Sequence, residues 1–170
     1  GFITAKGELK GKITDPDISI NFNVDYPHYK GIRIREIWEG DIKNENNEFL
    51  LNMKNRYSPI PSFLSIKFDS DLKLDNANFI RVFNSNKGTL GIVKDDDSYN
   101  WRADNFPLDE LELSLNKNQF DRVDGIINGE GSISSAQSYL DGRIAWSLGK
   151  YGNINLANSL FDFSFKNNSF

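Results

Sequence analysis

The chain has 170 residues, enough for one domain with a sizeable core, and a net charge of −4 at neutral pH. This acidic balance provides no basic surface for a phosphate backbone, so we do not expect nucleic acid as a partner. Cysteine is absent, which excludes disulfides, thiolate metal sites and a cysteine nucleophile. His28 is the single histidine, so any histidine-based catalysis or zinc site would depend on it alone. We expect neither a metal nor a cofactor.

The clearest predicted element is the stretch ISINFNVD, residues 18 to 25, in which apolar and polar residues alternate strictly. Successive side chains of a strand point to opposite faces, so this stretch predicts a strand with one apolar and one polar face. Segments with the same period cover residues 9–13, 32–35, 38–42, 49–53, 64–68, 72–74, 90–92, 99–101, 111–115, 131–133, 144–148, 154–156 and 161–165.

Residues that favour turns separate these segments, for example Asn44-Glu45-Asn46-Asn47 and Gly149-Lys150-Tyr151-Gly152. Strands recurring every 8 to 12 residues or so predict an all-β fold, and such short turns predict antiparallel neighbours. We expect at most one or two short helical turns, near residues 79–83 and 108–111. The stretch SPIPS, residues 58–62, predicts a corner because proline lacks the backbone donor of a central strand.

A weak internal repeat places glycine inside several predicted strands, two residues before an aliphatic residue. It is seen in GELKGKI (7–13), WEGDI (38–42), NGEGSI (128–133) and LDGRIAW (140–146). Glycine weakens a strand interior, so its repeated use there indicates bends or a close approach of backbone. A strongly curved sheet places glycine at such positions.

The sequence offers little to an enzyme, and we predict that the protein is not one. Acidic pairs such as Asp15/Asp17 and Asp121/Asp124 lie in or beside predicted turns, where solvated charges are the ordinary case. Neither a G-x-S-x-G elbow nor a phosphate-binding glycine loop is present. The three tryptophans allow an alternative, a carbohydrate-binding β-sandwich that stacks exposed rings on sugars. We favour inward-facing rings, because Trp38 and Trp146 share parity with apolar neighbours.

Three architectures would cover the apolar face: a two-sheet sandwich, a closed barrel, or a curved open sheet with an apolar groove. All three give the same alternation of apolar and polar residues, so the period alone does not separate them. We favour the curved open sheet, a trough, because apolar parity persists through nearly every segment and few long loops are predicted. The chain also starts and stops in strand-like sequence, as in repeat architectures.

Four stretches share a further pattern: GELKGKI, YKGIRIREIWEGDI, YNWRADNFPLDEL and GEGSISSAQSYLDGRIAW. They resemble the repeat region of the TamB-type translocation and assembly module family, related to AsmA-like envelope proteins. The arrangement of Trp101, Asn105, Pro107, Leu108 and Leu111, together with the glycine pattern, carries the resemblance. The Asn-Phe-Pro-Leu step resembles the photosynthetic-bacterial and chloroplast branch of that family.

The resemblance implies an elongated β-taco, of which residues 1–170 form a single segment of a longer repeat-like envelope protein. The implied function is to carry phospholipid acyl chains along the groove between inner and outer membranes. The implied location is the periplasm or intermembrane space, with the parent anchored in the inner membrane and this segment not membrane-spanning. An Omp85-type outer-membrane barrel is the implied partner of the full-length parent, in support of outer-membrane protein assembly.

Only the groove function is carried over to residues of this sequence. We expect an inward-facing lining formed by Leu9, Ile13, Ile18, Ile20, Phe22, Val24, Trp38, Ile42, Leu51, Ile66, Phe68, Trp101, Leu113, Ile133, Ile144, Trp146, Leu148 and Phe163.

Overall fold

The structure is a computed structural model that describes residues 2–12, 15–29, 32–45, 48–56, 60–83, 86–109, 111–116, 119–134 and 139–166. These residues form strands and turns, with no helix among them. The strands are β1 (Phe2–Lys12), β2 (Asp15–Asp25), β3 (His28–Tyr29), β4 (Ile32–Ile34), β5 (Ile37–Glu45), β6 (Glu48–Arg56), β7 (Ser62–Phe68), β8 (Leu74–Phe83), β9 (Asn86–Asp95), β10 (Ser98–Pro107), β11 (Leu111–Asn116), β12 (Gln119–Ser134), β13 (Tyr139–Tyr151), β14 (Ile154–Asn155) and β15 (Ser159–Lys166).

The strands build one curved sheet in which every pair is antiparallel. Twelve strands follow the order β1-β2-β5-β6-β7-β8-β9-β10-β12-β11-β4-β3, and β13 joins β12 and pairs with β14 and β15. The predicted fold class, an all-β trough formed by one strongly curved antiparallel sheet, is confirmed.

The strand register places the apolar parity of each strand on one common face, which we call the inner face. Phe22 pairs with Ala5 on one side and Gly40 on the other, and Ile20 pairs with Ile42. The register then runs from Ile42 to Leu51 and from Leu51 to Ile66. Because directly opposite residues share a face, the alternation that starts in β2 continues across the sheet.

The sheet curls until its distant strands meet at one end. In the chain, β4 lies two residues before β5. In the sheet, β4 pairs instead with β11, which follows β10 after a short break. The hairpin of β3 and β4 therefore bridges the sheet between β5 and β10, and Arg33 and Arg35 both pair with Glu112 there. We call this bridge the clasp, and the end of the trough that it covers the packed end.

Two walls rise from the curved floor of β5 to β10. The first wall is β1 and β2, which make their extensive contacts with each other and with β5. The second is β12, β13 and β15, attached to β10. Among the described residues, the extensive strand contacts do not join the first wall to the second. The inner face thus stays open along the side opposite the floor.

Three local predictions were wrong. Residues 79–83 belong to strand β8 rather than to a helical turn, because Phe79 and Arg81 point inward while Ile80 and Val82 extend the apolar run on the outer face. Leu108 and Asp109 form a turn without a helix. Leu72 lies in the turn before β8 with a positive φ of 59°, not in a strand. The corner at 58–62 lies partly outside the described residues; Ile60 and Pro61 lead directly into β7.

Candidate functional site, an apolar trough

The candidate site is the inner face of the sheet. Fourteen of the eighteen predicted lining residues share this face by register: Ile18, Ile20, Phe22, Val24, Trp38, Ile42, Leu51, Ile66, Phe68, Trp101, Ile133, Ile144, Trp146 and Phe163. Leu9 pairs with Ile18 and Leu113 with Ile32 through their backbones, but their side chains lie outside the described part. Ile13 is outside it altogether.

Leu148 departs from the alternation. It lies where the pairing of β12 with β13 shifts register around Gly125, and its own φ is 52°. Its side chain is 75% exposed, whereas Trp146 two residues earlier is partly buried and donates from Nε1 to the carbonyl of Asp124 over 3.2 Å. A bulge of this kind re-aims side chains, which the period-2 pattern does not predict.

Glycines on the inner face provide space for large neighbours. A Cβ at Gly142 would meet the ring of Trp101 and the backbone of Glu130, and Gly131 lies equally close to Trp101. The Trp101 ring covers both glycines and stacks on Phe163, with centroids 6.2 Å apart and an interplanar angle of 10°. Gly40 likewise admits the ring of Phe22. A Cβ at Gly40 would also meet the carbonyl of Asn52, and one at Gly131 the carbonyl of Asp141, so the prediction of close backbone approach is confirmed at these positions.

The lining is covered only in part. All fourteen residues named above except Trp38 are half-buried, so no layer of the described chain seals the face over them. At the rims, inner-face side chains are exposed: Ile3 at 72% on β1, and Phe165 at 65% on β15. The chain exposes 11704 Å² in all, whereas a compact monomer of this mass exposes about 8,500 Å². The excess agrees with an open trough.

The packed end has an aromatic core. Trp38 on β5 and Phe79 on β8 meet edge to face with centroids 5.5 Å apart, and Phe79 meets Phe106 at 5.0 Å. Strands β5 and β8 are three interstrand steps apart, about 14 Å along a flat sheet, so the contact reflects the curl of the floor. Trp38 is 2% exposed and Phe106 5%. Apolar packing is therefore complete at this end of the trough.

A row of inward-facing polar side chains closes the apolar lining at the same end. Asn55, Ser62 and Arg81 occupy directly opposed positions on β6, β7 and β8, where the register continues from Trp38. Arg81 donates from Nη2 to Oε1 of Glu36 over 3.1 Å and to the carbonyl of Asp109 over 2.6 Å. The side chains of this ion pair are 3% and 1% exposed. We call Glu36, Asn55, Ser62 and Arg81 the polar stop.

Hydrogen bonds hold the polar stop together. Asn55 donates from Nδ2 to Glu36 and to the carbonyl of Ile60, and its Oδ1 accepts the backbone N–H of Ser62 over 2.8 Å. Beside it, burial raises the pKa of Asp109 above its ordinary value. Sequence reasoning missed this group. The available signal was that, on three successive strands, the last inward-facing position at this end holds a polar residue instead of an apolar one.

The three tryptophans do not form an outer aromatic surface. Trp38 is buried in the packed end, and Trp101 and Trp146 lie on the inner face over glycines. His28, in β3, is exposed. Within the described ranges, no cluster of His, Asp or Glu is arranged to hold a metal ion, and no helix is long and apolar enough to cross a bilayer.

Comparison with known proteins found no matching family model, no matching curated protein and no matching solved structure.

Proposed function

We propose that the trough holds phospholipid acyl chains, and that the chain is a segment of a cell-envelope protein that carries such lipids between the inner and outer membranes. The observation that supports this best is the single apolar face that runs from β1 to β15 and remains half-exposed outside the packed end. A catalytic group is not needed for this function.

The free energy of such binding comes from the burial of hydrocarbon. Each methylene of a lipid tail that leaves water for an apolar surface contributes about 0.8 kcal/mol. Tail and lining make no directional bonds, so a tail can shift along the face at little cost. The half-exposed side chains of Ile20, Phe22 and Ile144 gain in the same way when a tail covers them.

The polar stop and the open rims indicate how a lipid would lie. A tail placed toward the packed end would meet the buried Arg81–Glu36 pair, and hydrocarbon provides no hydrogen bonds to such groups. The lipid head group would instead project from the open side, where water is available. The larger role, with a parent anchored in the inner membrane and an Omp85-type barrel as its partner, rests on the sequence resemblance.

Photocrosslinking at paired positions tests whether the inner face binds lipid. A crosslinking residue at Phe22 or Ile144 should capture acyl chains when the purified segment is mixed with phospholipid, as detected by mass spectrometry. The matched controls are Asn21 and Arg143, one residue away on the outer face. Capture at the control positions equal to that at Phe22 and Ile144 would contradict the proposal.

Ile20→Asp tests whether the face is needed for transport. A carboxylate in the half-buried lining opposes hydrocarbon binding, so lipid transfer by the full-length protein should be lost while the circular dichroism of the segment is retained. Asn21→Asp adds the same charge to the outer face and should leave transfer intact. A folded Ile20→Asp protein with undiminished transfer would refute the groove function.

A further inference from the structure

A cavity lies on the outer face of the sheet, on the reverse side of the first wall and the adjoining floor. It has a volume of about 740 Å³ and covers strands β1, β2, β5, β6 and β7. Two cross-strand rows of outer-face residues line it, with the backbone row between them and Arg56 at the edge. The outer-face rows are Thr4, Asn23, Glu39, Lys54 and Phe63, and Lys6, Asn21, Asp41 and Asn52; the row between them is Ala5, Phe22, Gly40 and Met53, which face the trough by register. Its size is within the range of small-ligand sites. We call it the outer cavity.

Amide side chains in the outer cavity have unused hydrogen-bonding capacity. Asn21 and Asn23 make no side-chain hydrogen bond to the described part of the chain, and both are exposed. Asn52 accepts the hydroxyl of Ser65 through Oδ1 over 3.0 Å, which leaves its Nδ2 group available. Each amide offers a donor and an acceptor, so Asn21 and Asn23 on β2, with Asn52 two strands away beyond Asp41, present both kinds of group to one extended ligand.

The charges of the outer cavity largely neutralise one another. Glu39 pairs with Lys54 at 3.1 Å and with Arg56 at 3.5 Å, and Asp41 pairs with Lys43 at 3.6 Å. Among the described cavity residues, Lys6 is the cation without an ion-pair partner. Both carboxylates are thus engaged by cations of the chain, so the lining offers an ammonium group no free anion, and the three amides are its main hydrogen-bonding groups.

An exposed aromatic ring completes the lining. Phe63 is 47% exposed on the outer face, directly opposite Lys54. Its exposed ring offers an apolar surface on which a flat ligand can stack. A ring at one end of a row of polar groups matches the chemistry of an oligosaccharide, whose sugar units present aliphatic C–H groups on one side and hydroxyls around the edge.

We propose that the outer cavity binds a neutral oligosaccharide, with Phe63 under a sugar ring and Asn21, Asn23 and Asn52 bonded to its hydroxyls. This inference does not rest on lipid binding in the trough. It also differs from sugar binding by the tryptophans, because none of them lines this cavity.

Calorimetric titration of the purified segment with neutral hexasaccharides of glucose, mannose and N-acetylglucosamine tests the proposal. At least one should bind, and Phe63→Ala should weaken binding about tenfold. Asn23→Ala should weaken it about three- to tenfold by removal of one or two hydrogen bonds. The matched controls are Leu160→Ala and Asn78→Ala, exposed residues on the outer face outside the cavity.

The outcomes distinguish this proposal from the lipid function. Ile20→Asp should leave sugar binding unchanged, because Ile20 lies on the inner face. Absence of binding by all three hexasaccharides would overturn the proposal, as would equal effects of the cavity and control variants. Binding of phosphatidylcholine vesicles that Phe63→Ala abolishes, without any sugar binding, would assign the outer cavity to membrane contact and also overturn it.

Discussion

At the scale of single residues, the polar stop is the most demanding feature of the structure. A buried Arg and Glu are tolerated when each charge has its partner and further hydrogen bonds support the pair. Asn55 Nδ2 adds a hydrogen bond to Oε1 of Glu36, and the carbonyl of Asp109 accepts one from Nη2 of Arg81. The stop therefore depends on contributions from strands β6 and β8 and from the turn after β10.

Arg81→Met should reduce the free energy of unfolding by about 3–5 kcal/mol, because it leaves Glu36 charged and buried without its partner. The double variant Glu36→Leu/Arg81→Met removes both charges and should recover most of that loss. Urea denaturation followed by tryptophan fluorescence measures both. A double variant as unstable as the single one would show that the pair itself is not the cause.

Asp69 provides a prediction about pH. Its Oδ1 accepts the backbone N–H groups of Lys73 and Asp71, and Lys94 lies 3.5 Å from Oδ2. The backbone hydrogen bond from Lys73 is the main cause that lowers the pKa of Asp69 below its ordinary value. A carboxyl group with a lowered folded-state pKa stabilises the fold at neutral pH, and this contribution is lost as the pH falls through that pKa.

Asp69→Asn should therefore unfold at lower urea concentration than the native protein at pH 7, and the difference should shrink as the pH is lowered toward 2. Asp71→Asn is the matched control, since it removes a charge from the same turn at a carboxylate that accepts no backbone hydrogen bond within the described residues. A difference for Asp69→Asn that stays constant with pH would exclude the ionised carboxylate as its source.

At the scale of strands, glycine determines how closely the sheet packs on its own side chains. A Cβ built on Gly142 would lie against Trp101 and 3.1 Å from the ring of Phe163. A Cβ built on Gly91, in β9, would have the carbonyl of Ala77 as its nearest neighbour, 4.0 Å away. The two glycines occupy similar extended backbone but very different surroundings.

Gly142→Ala should cost about 1–3 kcal/mol through overpacking against Trp101 and the backbone of Glu130. Gly91→Ala should instead gain about 0.5–1 kcal/mol, because it restricts the unfolded chain without a clash. Thermal unfolding of both variants checks the pair. Equal destabilisation would mean that the stacked Trp101 ring does not limit the space at Gly142.

The strands show what alternation can and cannot predict. It predicts the strand around residues 18–25 and its shared face, because a half-solvated strand repeats every two residues. It fails at residues 79–83, where both faces carry apolar side chains and a short apolar run resembles a helix. Alternation also does not predict the ion pair of Arg81 and Glu36. These residues are 45 positions apart in the chain, and the curvature of the sheet brings them together.

At the scale of the whole molecule, stability is uneven. The buried apolar residues Trp38, Ile60, Ala103, Phe106 and Val123 are concentrated toward the packed end and the adjoining floor. Strands β1 and β15 each pair on one side only and carry exposed apolar residues. Regions with few buried apolar contacts open at lower free energy than the core does.

Amide hydrogen exchange should accordingly be slow in the strands of the packed end and fast in the edge strands. Backbone amides of β5, β8 and β10 should exchange at least about tenfold more slowly than those of β1 and β15, because the former open only with the packed core. Mass spectrometry of peptides that cover these strands measures the difference. Equal protection of the edge strands would show that the walls are stabilised by a contact absent from the described residues.

The part of the chain between β2 and β5 links two places. It leaves the first wall at β2 and forms the clasp, which, within the described residues, is attached to β11 by three residue pairs and by the Glu112 carboxylate. If the trough binds lipid as proposed, a tail that spreads the first wall would pull on this attachment. A fluorescent reporter beside Glu112 would then respond to lipid added to the trough without contacting it.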